Sequence, residues 1–186
     1  MINILITLLL CSFVVFFRGA NATVEESDQK NVSSIQISIT DQMLYLYTGE
    51  KPEKKYRITT SRKPPSNKSL SRGTPLGKHE IAEIIGVNQP GNVMYKDREP
   101  IEDTDEKSPI MARIIWLRGI EPGYNAGYDE SGHWVDTYWR RIYIHGVPDQ
   151  LLVDNENKSG GCIRMSISDV IDLAYRVKPG TKVLIK

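Results

Sequence analysis

The chain has 186 residues, with 24 basic and 23 acidic side chains and three histidines, a near-neutral balance that argues against general nucleic-acid binding. Hydrophobic residues make up 40% of it, enough for one domain with a proper core. No internal repeat, low-complexity tract or second domain is visible.

The amino-terminal end reads as a targeting segment. Residues 2–17 are almost wholly apolar, Arg18 is the first charged side chain, and Ala20-Asn21-Ala22 offers the small-x-small pattern of a signal peptidase site. Residues 1–22 are therefore expected to be a signal peptide. An uncleaved membrane tether is the alternative, the run being a little short of the ~20 residues a span needs. Either form places the remainder outside the cytoplasm, in the periplasm or at the cell wall. Cleavage removes Cys11 and leaves Cys162 alone, a free thiol in an exported domain. A buried structural cysteine is the plain alternative. Residues 23–34 are polar and read as a short tether.

From residue 35 the pattern switches to period two. Ile35, Ile37 and Ile39 alternate with polar residues, Asp41-Gln42 marks a turn, and Met43 to Tyr47 forms a second strand in a hairpin. Gly49-Glu50 turns the chain before a strand at 56–60. Residues 61–73, with Pro64-Pro65 and the basic Arg62, Lys63, Lys68 and Arg72, read as a surface loop. Pro75 and Gly77 make a tight turn into a strand at 78–84. Residues 86–109 are long, polar and without period, either the rim of a site or disorder. Strands are expected at 110–117, 134–139 and 141–145, with a glycine-rich loop at 118–132. Helix signals are confined to the end: Ser166 with Asp169 is a capping-box pattern, and Ile167, Val170, Ile171 and Ala174 line one face. Lys178-Pro179-Gly180 stops that helix before a last strand at 181–185. The fold class is mainly β, a sandwich or squashed barrel with one short α-helix after Cys162.

The chemistry gathers in Ile142-Tyr143-Ile144-His145-Gly146 and Ser159-Gly160-Gly161-Cys162-Ile163-Arg164. A thiol attacks carbonyls as its thiolate and needs a proton acceptor, which His145 can supply. Gly160 and Gly161 bring bare N–H groups near the sulfur, as an oxyanion hole requires. The planar fork of Arg164 suits a carboxylate or a structural partner. Tyr143 alternates with Ile142 and Ile144 and shares the side of His145. His79 and His133 read as a strand and a loop residue. The three histidines with Cys162 fit no zinc-ligand spacing, so no metal is expected.

These motifs resemble the L,D-transpeptidases of bacterial cell walls, the YkuD-type catalytic domain. The resemblance rests on His145-Gly146, on Ser159-Gly160-Gly161-Cys162-Ile163-Arg164 and on Thr74-Pro75-Leu76-Gly77. It includes the opening hairpin with Leu44-Tyr45-Leu46-Tyr47 and covers residues 35–186. Many members carry a second histidine where this chain has Gly160. The resemblance implies a YkuD-like domain in which Cys162 is the nucleophile and His145 the base, oriented by the Gly146 carbonyl. Gly161 and Ser159 would complete the catalytic loop, and Arg164, Gly160, Tyr143 and Trp116 would meet substrate. It implies a thioester route on peptidoglycan tetrapeptide stems, releasing D-alanine and passing the acyl group to an amine, with no cofactor and a monomer as the working unit. An L,D-carboxypeptidase or hydrolase using the same site is the alternative, and a non-catalytic wall-binding module a third.

Overall fold

The computed structural model describes Val32 and residues 34–101, 110–153 and 159–186. The expected signal peptide, nearly all of the tether, Cys11 and the segments 102–109 and 154–158 lie outside the described residues. Two strands, β1 (Ser34–Ser38) and β2 (Met43–Thr48), form the expected hairpin, pairing Ile35 with Leu46 and Ile37 with Leu44. Period-two alternation turns all four of these side chains inward, where they are fully buried. A third strand, β3 (Lys51–Arg57), pairs with β2 and begins earlier than the apolar run at 56–60 suggests. Pairing with β2, not local hydrophobicity, sets its start: residues 51–55 are mostly exposed.

Next comes β4 (Gly77–Ile85), reached through the expected loop and turn. The segment read as structureless holds a small hairpin, β5 (Met94–Lys96) and β6 (Glu99–Ile101). Its turn puts Asp97 at φ 50° and Arg98 at φ 76°, the left-handed pair of a primed turn without the usual Asn-Gly signal. Then follow β7 (Met111–Gly119) and β8 (Tyr143–Val147). Between them, the strand expected at 134–139 is a turn with one isolated bridge, Tyr128 to Trp134. The carboxylate of Asp136 causes this, accepting from the N–H groups of Trp139 (3.1 Å) and Gly127 (3.0 Å) and closing the backbone locally.

A five-residue helix, α1 (Asp149–Val153), follows β8, so the structure adds a helix to the one expected. Asp149 in its first turn suits the positive end of the helix. The chain then forms β9 (Ile163–Ser166), α2 (Ile167–Arg176) and β10 (Lys182–Ile185). Ser166 caps α2 as the sequence indicates, its hydroxyl accepting from the Asp169 N–H at 3.1 Å.

The described strands make one mixed sheet, in the order β3-β2-β1-β10-β4-β7 with the β5–β6 hairpin beyond β7 and β8-β9 branching from β7. β1 with β10 and β8 with β9 are parallel; the other pairs are antiparallel. The sheet curls back on itself, because Thr59, just past β3, exchanges backbone hydrogen bonds with Arg164 of β9 at 2.9 and 2.8 Å. This is the squashed, mainly β architecture expected. Ile35, Leu44 and Ile58 meet Ile115, Ile144 and Met165 inside it, with Val170 and Leu173 of α2 closing the core.

Candidate active site

The site stands on the outer face of β7, β8 and β9. In β8 and β9, Ile144, Ile163 and Met165 face the main core, as does Ile142 just before β8. Alternation therefore puts Tyr143, His145, Cys162 and Arg164 together on the opposite face. The parallel register sets His145 opposite Arg164 and Ile144 opposite Ile163. Continued one step, it sets Cys162 opposite Tyr143, whose N–H donates to Sγ at 3.5 Å. Cys162 and His145 are thus diagonal neighbours, with Cα atoms roughly 8 Å apart from ordinary strand spacing and rise. Across β8 the face continues with Ile114 opposite His145 and Trp116 opposite Tyr143 on β7.

His145 is 2% exposed, and its Nδ1 lies 3.0 Å from the Gly146 carbonyl. A carbonyl only accepts, so Nδ1 carries the proton and Nε2 is the basic nitrogen. Burial pushes the imidazole pKa down to about 4 from 6.5; the Gly146 bond opposes this and the Arg164 charge adds to it. The ring is neutral at neutral pH and able to take a proton. Gly146 leaves no room for a side chain: a Cβ there would sit 2.8 Å from the Met111 oxygen and 3.0 Å from Val170.

Cys162 is half-buried, and its S–H donates to the Arg141 carbonyl at 3.5 Å. Burial pushes the thiol pKa up, while the Tyr143 N–H and the guanidinium groups of Arg164 and Arg140 pull it down. At neutral pH the unliganded protein therefore holds a neutral thiol and a neutral imidazole. Ser159 is buried and engaged by its own loop: its hydroxyl donates to the Cys162 carbonyl at 2.6 Å and accepts from the Gly161 N–H at 3.0 Å. Gly161 has φ +120°, and a Cβ would come within 2.8 Å of Ile142 and 2.9 Å of the Gly73 oxygen, so glycine is required. Gly160 is exposed, with nothing within 4 Å of a would-be Cβ.

Trp116 lies beneath the site as an aromatic wall. Its ring stacks on Tyr138 at 4.0 Å, meets Tyr143 edge-on at 5.7 Å, and its N–H donates to the Tyr138 carbonyl at 3.0 Å. The Tyr143 hydroxyl is buried without a hydrogen-bond partner among the described residues, and burial with the nearby Cys162 pushes its pKa up to about 12. The hairpin tip reaches the same rim: Arg98 lies over Trp116 at 4.6 Å, and Asp97 pairs with Arg141 at 2.6 Å.

Two contributors escape the sequence reading. One is that hairpin, whose turn carries no glycine or asparagine. The other is Arg140, half-buried, donating to the carbonyls of Ser66 (2.9 Å) and Gly73 (2.7 Å) while its charge acts on the thiol. Nothing but its place beside β8 marks it. Elsewhere, His79 is fully buried between the Gly77 carbonyl (2.9 Å) and the Thr137 hydroxyl (3.1 Å). His133 pairs with Asp129 on the surface. Among the described residues no group of three or more His, Cys, Asp or Glu is placed to hold a metal ion.

No curated protein matches the chain. Among solved structures, Bd1075 of Bdellovibrio bacteriovorus is 16% identical over 82% of this chain and 46% of that one, with a TM-score of 0.51. A mutant of the Campylobacter jejuni helical cell shape determining protein Pgp2 is 16% identical over 83% and 47%, also with a TM-score of 0.51. A cysteine-to-serine mutant of the Enterococcus faecium L,D-transpeptidase is 17% identical over 83% and 50%, with a TM-score of 0.45. At these identities the likeness to the first two is one of fold, and the chain spans about half the length of each of the three. The family profile for the YkuD L,D-transpeptidase catalytic domain matches residues 33–185, and the chain belongs to that family.

Proposed function

We propose that this protein is a peptidoglycan L,D-transpeptidase working through a Cys162 thioester. The observation that carries the reading is the β8–β9 register, which sets a thiol, an imidazole of fixed tautomer and a guanidinium on one face. Nε2 of His145 takes the thiol proton as sulfur attacks the carbonyl of stem residue three, on its bond to the terminal D-alanine. A C–S bond forms and the oxyanion is held by backbone N–H groups. With the Gly161 amide engaged by Ser159, that task falls to Cys162 and Gly160; losing such a donor typically costs ~2.7–4 kcal/mol. The C–N bond then breaks, the imidazolium protonates the departing amine, and a thioester remains. The side-chain amine of a second stem takes the acyl group and returns the sulfur as a thiol. The two arginines hold negative charge near the sulfur, Trp116 and Tyr143 wall the cleft, and residues 1–22 export the domain, joined by the 23–34 tether, to work as a monomer at the wall.

The test is intact-protein mass after incubation with a tetrapeptide stem. The parent should gain the mass of a tripeptide acyl group, and Cys162→Ala should gain nothing; an adduct that survives that substitution refutes the thioester. Crosslinked dimers among the products identify transfer, whereas trimmed monomers alone would replace the transferase by a hydrolase.

A further inference from the structure

The face of β3, β2, β1, β10 and β4 that points away from the core carries charge of mainly one sign. Pairing lines its side chains up in rows. Lys55, Tyr45, Gln36, Leu184 and Lys78 stand opposite one another from β3 across to β4. On one side of them run Ser34, Lys182, Glu80 and Arg118, and on the other Arg57, Met43 and Ser38. Glu80 is the carboxylate of these rows, held by Lys182 at 2.9 Å and Arg118 at 3.5 Å. Lys55, Arg57 and Lys78 are exposed and enter no ion pair among the described residues. At the margin, Asp41 accepts from the Ser38 hydroxyl, and Glu121 from the Lys78 N–H and Asn125.

Charge alone suits any polyanion; a groove narrows the partner. It has a volume of about 400 Å3 and crosses β1, β10 and β4. Lys78 and Lys182 line it together with Ile120 and Leu184, apolar side chains 37% and 38% exposed. Such a mixture fits an amphiphile: ammonium groups meet phosphates while the apolar side chains leave water against acyl chains. Tyr45, at the centre of the rows, has the ring-and-hydroxyl character of residues enriched at bilayer interfaces. A soluble polyphosphate would gain nothing from Ile120 and Leu184. The chain also arrives here, since Ser34 both opens β1 and lines the groove, and the apolar residues 2–17 lie upstream of it.

We propose that this face docks on an anionic phospholipid bilayer, with Lys55, Arg57 and Lys78 against headgroup phosphates and Ile120 and Leu184 reaching below them. The inference is independent of the reaction proposed above. It has a consequence for the cleft. The strand order β3-β2-β1-β10-β4-β7-β8-β9 is closed by the bridge from Thr59 to Arg164, so β8 and β9 stand half a turn from β1 and β10. A docked molecule therefore turns its cleft away from the bilayer.

The experiment is co-sedimentation of the full chain with vesicles of phosphatidylcholine, alone or mixed with phosphatidylglycerol. The readout is the ratio of the two partition constants, in which partitioning by the uncharged residues 2–17 cancels. The parent should prefer anionic vesicles at least about tenfold in about 0.1 M salt and lose that preference in about 1 M, where charges are screened. Each cation near such a surface is worth roughly fivefold, so Lys55→Gln, Arg57→Gln and Lys78→Gln together should abolish the preference. Glu80→Gln, which releases Lys182 and Arg118, should raise it about fivefold, a gain that damage to the fold cannot produce. Leu184→Gln should weaken binding to anionic vesicles and leave the salt dependence as it was. Lys63→Gln with Arg72→Gln removes exposed cations that lie off this face and serves as the control for net charge. If the triple variant melts early, Lys78→Gln and Glu80→Gln alone still decide, because they must move the ratio in opposite directions. No preference in the parent, or a control that falls as far as the face variants, overturns the proposal. So does soluble poly(glycerol phosphate) that displaces the protein from vesicles at matched phosphate, which would assign the face to an anionic wall polymer.

Discussion

At the residue scale, chemistry is set by which groups are denied water. His145 and Cys162 both resist charging because they are buried: the imidazole is pushed down to about 4 and the thiol up. The resting pair is therefore neutral, unlike the thiolate–imidazolium pair of many cysteine enzymes. Reactivity toward stems should fall only as pH drops through about 4, where Nε2 becomes protonated and can no longer accept. Alkylation of free enzyme by iodoacetamide should keep rising above pH 9. A plateau at neutral pH would show an ion pair and refute this account. Arg140→Gln should move the alkylation profile further up, because a cation that favours the thiolate is lost. A purely structural Arg140 would change stability and leave the profile in place.

At the element scale, α2 is docked by its apolar stripe and by one carboxylate. Val170, Leu173 and Ala174 are buried against the sheet, a stripe the 3.6-residue period announces. Asp172 accepts from Lys54 (2.7 Å), Tyr56 (2.5 Å) and Arg176 (3.0 Å), tying the helix to β3. Burial opposes ionisation of Asp172, but these three donors outweigh it and hold the carboxyl below its ordinary range. Asp172→Ala should cost roughly 1–3 kcal/mol, because it strips the buried Tyr56 hydroxyl of its acceptor. Ser166→Ala should cost about 1 kcal/mol through the lost cap. Urea unfolding measures both; a change under a few tenths for Asp172→Ala would mean that water replaces the carboxylate without loss.

At the scale of the whole molecule, two buried imidazoles make stability depend on acid. His79 and His145 are each pushed down to about 4 from 6.5, chiefly by burial. The unfolded chain then binds protons more readily than the folded one. Their stabilisation is present above about pH 6.5 and is lost as pH falls toward 4, on the order of 3 kcal/mol each. The melting temperature should drop steeply over that window. His79→Gln should flatten about half of the drop while leaving the acid limb of the proposed reaction, assigned to His145, where it was. An unchanged slope would mean that His79 is solvated on a timescale short against unfolding.

The sequence alone determined whatever depends on near neighbours. Alternation at 35–47 gave the first hairpin and its buried face, Ser166 and Asp169 gave the start of α2, and the glycines beside Cys162 marked the reactive loop. Period and capping are local physics, legible wherever a few residues decide. What only the tertiary structure decided depends on partners distant in the chain. Asp136 turned a promising run at 134–139 into a tight loop, and the tip of β5–β6 is held against the site by Trp116 and Arg141. The parallel register of β8 and β9 put His145 and Cys162 on one face, and strap bonds from Arg140 fixed a basic loop beside them. The burial that tunes thiol and imidazole belongs to the same class, since desolvation is a property of everything packed around a group and is written in no single stretch of chain.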